Sequence, residues 1–221
     1  MIRRLTFMVA VAALVGSAAW AQDKRVELSG NVGWTFSDGV SGSSTTINGE
    51  DFTRIDPKDS ISYGGRIGFL VTHNIEVGGL FSLQDSTLQL GGVVTDDIGK
   101  EKIYNYHGYV AYNFGEEDAK VRPYVLGGLG ATQFGSVDTS LFGRQHTIDS
   151  HTKFSTTWAV GVKMFPGPNF GIRLEARWTP TYIKSDAAGW WCDPYWGYCY
   201  VVGNAQYANQ FDLGGGITLR F

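Results

Sequence analysis

Arg173, Glu175 and Arg177 stand at alternate positions in the segment 170–182, with Ile172, Leu174, Ala176 and Trp178 among them. In an extended chain, residues two apart share a face. One face of this segment therefore carries two guanidinium groups flanking a carboxylate, while the other is apolar. The same spacing puts Glu27, Arg66, Glu76, His107, Lys163, Asp212 and Arg220 on the polar faces of other alternating segments. An unpaired charge on an enclosed face is costly, whereas charges of opposite sign can neutralise one another. These ten side chains are expected to pair across a narrow interior as a salt-bridged plug; the alternative is a gated ion pathway.

Two other clusters could carry chemistry. Cys192 and Cys199 are the only cysteines, and a disulfide between them would close a small ring and constrain the unfolded chain by roughly 2.5 kcal/mol. Around them stand Trp190, Trp191, Tyr195, Trp196, Tyr198 and Tyr200, rigid aromatic side chains of the kind that anchor binding surfaces. The other reading packs these rings on a rim or at a lipid interface. A metal site on the two cysteines is disfavoured, because zinc wants four ligands and no histidine is adjacent. His146 and His151 flank Asp149 and Ser150, the residue types of a hydrolytic triad, but neighbours in sequence need not converge in space. A solvated polar loop is expected there, with no catalysis. No glycine loop between a strand and a helix cradles phosphate. Neither cofactor nor metal is expected.

The elements that must position the charges are strands. Period-2 alternation recurs over 26–36, 60–72, 75–83 and a little beyond, 102–114, 121–134, 153–165, 170–182 and 209–221. In the last, Phe211, Leu213, Ile217, Leu219 and Phe221 alternate with Asp212, Thr218 and Arg220. The fifth segment is not oriented by this pattern, because apolar residues and glycines occupy both faces of 124–130. Connections after the second, fourth and sixth segments are short; the others are long, polar or glycine-rich. Strands of ~10 or more residues exceed the usual five or six and suit a tilted membrane crossing. Aromatics sit near strand ends, at Trp34, Phe36, Tyr63, Tyr112, Phe114, Phe134, Phe165, Trp178, Tyr182 and Phe221, where interface girdles would lie. The fold expected is all-β: an eight-stranded antiparallel transmembrane up-and-down β-barrel. A hairpin hidden in 37–59 would make it ten-stranded, and a soluble sandwich is the other competitor.

The whole chain has 221 residues, 43% hydrophobic and 18% charged, with 30 glycines, which excludes a disordered chain. Residues 1–21 read as a cleaved signal peptide: Arg3 and Arg4, an apolar middle, then Ala19-Trp20-Ala21. Residues 22–221 form one barrel domain. Removing Arg3 and Arg4 leaves 16 of 18 Lys+Arg against 21 Asp+Glu, a net charge of about −5. A nucleic-acid partner is excluded, since phosphate binding needs a concentrated basic face. After the leader no run of about 18 apolar residues occurs, which excludes helical membrane spans.

With the leader and the eight segments, the stretch Arg122-Pro123-Tyr124-Val125-Leu126-Gly127-Gly128-Leu129-Gly130 and the closing Gly216-Ile217-Thr218-Leu219-Arg220-Phe221 resemble the small outer-membrane β-barrel superfamily of OmpA-, OmpX- and OmpW-like proteins. The resemblance implies the outer membrane of a Gram-negative-type bacterium, contact with its lipid, and Phe221 as the signal read by the barrel-assembly machinery. Both ends of the mature chain would lie in the periplasm. The superfamily holds structural anchors, adhesins, narrow channels and a few lipid-modifying enzymes, so fold alone leaves the activity open. The expectation is a non-enzymatic monomer whose extracellular loops contact an extracellular ligand or host surface. Its alternatives are a narrow channel for small or hydrophobic solutes and, more remotely, a lipid-modifying barrel enzyme. No cell-wall-binding domain follows Phe221, so cell-wall anchoring is not expected.

Overall fold

The computed structural model describes residues 25–38, 40–47, 50–92, 96–116, 119–141, 144–148, 150–182 and 207–221. They form twelve strands: β1 (Val26–Ser37), β2 (Val40–Ile47), β3 (Glu50–Pro57), β4 (Ser60–Leu70), β5 (Ile75–Gly92), β6 (Asp96–Asn113), β7 (Val121–Phe134), β8 (Val137–Leu141), β9 (Arg144–Ile148), β10 (His151–Met164), β11 (Phe170–Tyr182) and β12 (Tyr207–Arg220). Eight of them, β1, β4, β5, β6, β7, β10, β11 and β12, pair antiparallel with their neighbours and close into a ring. The closing seam sets Glu27 opposite Arg220 and Ser37 opposite Gln210. Beyond the ladder, Val26 and Phe221 exchange backbone hydrogen bonds of 3.1 and 2.9 Å. A closed ring has no edge of unsatisfied N–H and C=O groups, the condition for a sheet to lie in hydrocarbon.

Local alternation becomes an inside-out protein. Leu28, Val32, Trp34, Ile67, Phe69, Val110, Val160, Leu174 and Ile217 are exposed on the outer face, while Glu27, Arg66, Glu76, Lys163, Arg173 and Arg177 are buried inside. A sandwich would reverse this. One small apolar cluster, Leu80, Tyr109, Ala111, Tyr124, Leu126 and Ala159, lies among the inward side chains.

Several expectations change at the loop end. The connection 37–59 does contain a hairpin, β2–β3, but it does not enter the ring. β4 pairs with β5 only as far as Ser62 opposite Gln84, leaving the outer half of β5 with a free edge that β3 takes, Pro57 opposite Leu88. The ring stays eight-stranded. β5 and β6 run 18 residues each, well past the apolar pattern, and β8–β9 forms a separate hairpin where a plain polar loop was expected. Orientation of β7 is settled by its neighbours: Arg122, Tyr124, Leu126 and Thr132 point inward, Val121, Val125 and Leu129 outward. Phe134 and Phe165 are corrected too. Both are buried rather than girdle residues, and Phe165 lies under the Arg220 guanidinium, 3.9 Å from the ring centre.

At the opposite end, side chains tie the short turns together. Asn74 donates through Nδ2 to the carbonyls of Asn113 and Gly115 at 2.7 and 3.1 Å, and Asn169 donates to that of Arg220 at 3.1 Å.

Candidate functional site: the charged interior

Nearest the turn end, Lys163 lies between two carboxylates, its Nζ 2.6 Å from Glu27 Oε2 and 2.5 Å from Glu76 Oε2. Arg220 donates through Nε and Nη2 to Glu27 Oε1 at 3.1 and 2.8 Å. The Tyr109 hydroxyl donates to Glu76 Oε1 at 2.6 Å. That ring fits because β4 and β5 set Gly68 opposite Gly78 beside it, and a Cβ on either would come within 2.7 Å of the hydroxyl.

A second layer lies above. Arg66 Nη2 meets both oxygens of Glu175, at 2.9 and 2.7 Å, and the Tyr124 hydroxyl donates to the same carboxylate. Arg177 donates through Nε and Nη2 to Asp212 Oδ2 at 3.1 and 2.7 Å, while Asp212 Oδ1 accepts from Thr35 and from Ser62. Arg173 is held more loosely than the other buried cations of these layers: Nη2 is 3.6 Å from Glu27 Oε2, an oxygen already held by Lys163.

Further towards the loop end the interior is polar but mainly uncharged. Gln210 donates to Gln84 at 2.7 Å, Asn105 to Gln210 at 3.2 Å, and Thr132 to Asn105 at 2.6 Å. His107 stands here, apart from the ion pairs, with Nε2 2.9 Å from Ser155 Oγ. That is the distance of a nucleophile and its base. Yet His107 Nδ1 has no hydrogen-bond partner to orient the ring, and Ser155 has no exposed surface for a substrate to reach.

The ten charged or ionisable residues singled out from the sequence all face the interior, and nine of them enter its ion pairs. Sequence reasoning missed Arg122, Tyr109 and Tyr124, which also face inward; the even-numbered polar residues Arg122 and Thr132 were the available signal for β7. Phe221 directly follows β12 and continues the closing seam through its backbone hydrogen bonds with Val26. His151 opens β10 opposite Phe134, His146 lies on β9 opposite Thr139, and Ser150 is exposed. Asp149, Cys192, Cys199, Trp190, Trp191, Tyr195, Trp196, Tyr198, Tyr200 and the leader 1–21 lie outside the described residues.

The outer face marks where the apolar band stops. On β6 the outward residues run Tyr112, Val110, Tyr106, Tyr104 and then Lys102, whose exposed Nζ is 4.0 Å from Asp85 on β5. Ions on the outer wall belong in water, so β5 and β6 project beyond the membrane from about this level. Just above it, inside the wall, Glu101 is buried, and burial pushes its carboxyl up to about 7.

A closed eight-stranded ring with an apolar outside, an ionic inside and a long-stranded loop end defines a small transmembrane β-barrel. The chain belongs to the outer membrane protein beta-barrel domain family, which matches residues 7–203. Membership places it in the outer membrane of a Gram-negative-type cell. Among solved structures it is similar to Neisserial surface protein A, with a TM-score of 0.55 at 15% identity over 89% of this chain and 97% of that one. It is also similar to OprG of Pseudomonas aeruginosa, with a TM-score of 0.51 at 11% identity over 90% of this chain and 97% of that one. At such identities the likeness concerns the fold. No curated protein matches the sequence.

Proposed function

We propose that this chain is a non-enzymatic outer-membrane barrel whose transmembrane part anchors an extracellular surface that contacts a ligand or another cell. The observation that carries this reading is the division of the molecule. The interior is crossed by ion pairs such as Lys163–Glu27 and Arg66–Glu175, while elaboration is concentrated at the loop end, where β5 and β6 extend the wall, the β2–β3 hairpin joins its edge and β8–β9 forms a hairpin of its own. Eight strands leave an interior wide enough for side chains and little else. A structural or binding role follows more readily than transport, and the buried Ser155–His107 pair lacks the access that catalysis needs.

Cleavage after Ala21 and a Cys192–Cys199 disulfide complete the proposal. Intact mass of the protein from outer membranes checks the first; thiol alkylation with and without reduction checks the second. The decisive experiment pairs planar-bilayer recording with adhesion of whole cells. Purified protein should give no reproducible conductance steps. Cells expressing a Tyr195→Ala/Trp196→Ala/Tyr198→Ala variant should lose adhesion relative to the parent at equal surface abundance. Steps that disappear in Arg66→Ala or Arg177→Ala would instead establish the channel reading.

A further inference from the structure

We propose that the barrel interior holds one small monovalent anion, of halide size, in a cavity between Arg66, Arg173 and Arg177. The cavity exists because the wall there has no side chains. Inward positions 33 on β1 and 214 and 216 on β12 are all glycine, and they leave a void of about 20 Å³ bounded by the three arginines, Glu175 and Asp212. Close approach of the two strands keeps it open. A Cβ on Gly33 would stand 2.9 Å from the Leu213 carbonyl oxygen, and one on Gly214 2.8 Å from that of Val32. Such a volume admits a single small occupant, provided polar groups converge on it.

Charge and hydrogen bonding both specify that occupant. Three guanidinium groups line the void against two carboxylates, and both carboxylates are already engaged. Glu175 accepts from Arg66 and Tyr124; Asp212 accepts from Arg177, Thr35 and Ser62. Arg173 is 3% exposed, its nearest carboxylate oxygen is beyond hydrogen-bond range, and its Nε and Nη2 are buried without an acceptor, as is Arg66 Nε. Guanidinium offers donors only and keeps its charge at any ordinary pH. A water molecule would accept the hydrogens but leave the excess positive charge, and a metal cation would be repelled. A small monovalent anion satisfies both demands. The inference is independent of whether the lumen conducts.

Crystals of the purified barrel soaked in sodium bromide test it directly. An anomalous bromide peak among Arg66, Arg173 and Arg177 is the expected result; a fully occupied water or an empty void there overturns the proposal. Unfolding by urea in sodium chloride against sodium gluconate at equal ionic strength is the second measurement. The parent's unfolding constant should fall about tenfold once chloride exceeds its Kd about ninefold, and then track chloride by mass action. An Arg173→Gln variant, shown folded by its heat-dependent gel mobility, should lose that difference between the two salts. Equal behaviour of the parent in both salts, or the same chloride response in Arg173→Gln, overturns the site. Should Arg173→Gln fail to fold, the bromide map and the parent's salt comparison decide.

Discussion

Lys163 holds one positive charge between two buried carboxylates, so its loss orphans charge in a place water does not reach. Lys163→Met is expected to lower stability by about 3–5 kcal/mol, the range for breaking a buried pair from one side. Equilibrium urea unfolding in detergent measures it, and Glu76→Gln added to that background should recover part of the loss by removing one stranded carboxylate. A single-variant cost under about 1 kcal/mol would mean that the cluster does not stabilise the barrel. Glu101 gives a pH signature. Its folded pKa of about 7 lies above the ordinary carboxylate value of 4.5, so the folded state binds the proton more tightly. The stabilisation is fully present below pH 4.5 and is lost as pH rises through 7, at most about 3 kcal/mol over the window. The parent should therefore unfold at lower urea at pH 8 than at pH 5 by more than Glu101→Gln does. Parallel pH profiles would refute the assignment.

The element scale turns on which glycines are close to something. Gly78 on β5 faces inward, where a methyl group would overlap the Ile67 carbonyl and crowd the Tyr109 hydroxyl; outward Gly79 has only Ile67 Cγ2 at 3.9 Å. Gly78→Ala is expected to cost about 1–3 kcal/mol and Gly79→Ala to lie within about 0.5 kcal/mol of the parent. Equal effects in urea unfolding would deny that Tyr109 needs the gap. The β2–β3 hairpin makes the opposite claim, that a whole element is dispensable. Thr35 pairs with Ser60, and the Ser37 amide donates to Asp59 Oδ1 at 3.0 Å, so β1 and β4 already end side by side. Replacing residues 40–57 by a short Gly-Ser turn should leave every ladder of the ring intact. Heat-dependent gel mobility should persist in that variant, and its disappearance would show that the rim hairpin supports closure.

For the whole molecule, the solvent of the outer wall is hydrocarbon, and the cost of a charge depends on depth. Val160 is exposed near the middle of β10, whereas Val121 is exposed at the turn end of β7. A lysine at the midplane costs about 2–4 kcal/mol and one near an interface about 0–1 kcal/mol. Val160→Lys should accordingly destabilise the barrel in lipid bilayers by a few kcal/mol more than Val121→Lys. If the two were equal in reversible unfolding from vesicles, the apolar band would be misplaced.

How much of this was legible in the sequence follows from what is local. Extended backbone sends successive side chains to opposite faces whatever else the chain does. Alternation therefore located the eight ring strands and determined that Arg66, Lys163, Arg173 and Arg177 share a face opposite Ile67, Val160, Leu174 and Trp178. Where alternation fails, the sequence was silent: β7 has small or apolar residues on both faces at 124–130, and only its ladders to β6 and β10 orient it. The outer halves of β5 and β6 carry no outward apolar row, with Asp85, Thr87, Gln89, Lys100 and Lys102 at the outward positions, so nothing local distinguishes them from loop; their mutual pairing makes them strand. Partner choice is the most non-local property. Arg66 meets Glu175 across 109 residues and Lys163 meets Glu27 across 136, and neither pairing exists until the ring closes and its register sets which inward side chains share a level. The void bounded by Arg173 arises in the same way. Three glycines on two strands are unremarkable in the chain, and they become one gap in the wall only because the β1–β12 seam places Gly33 opposite Gly214.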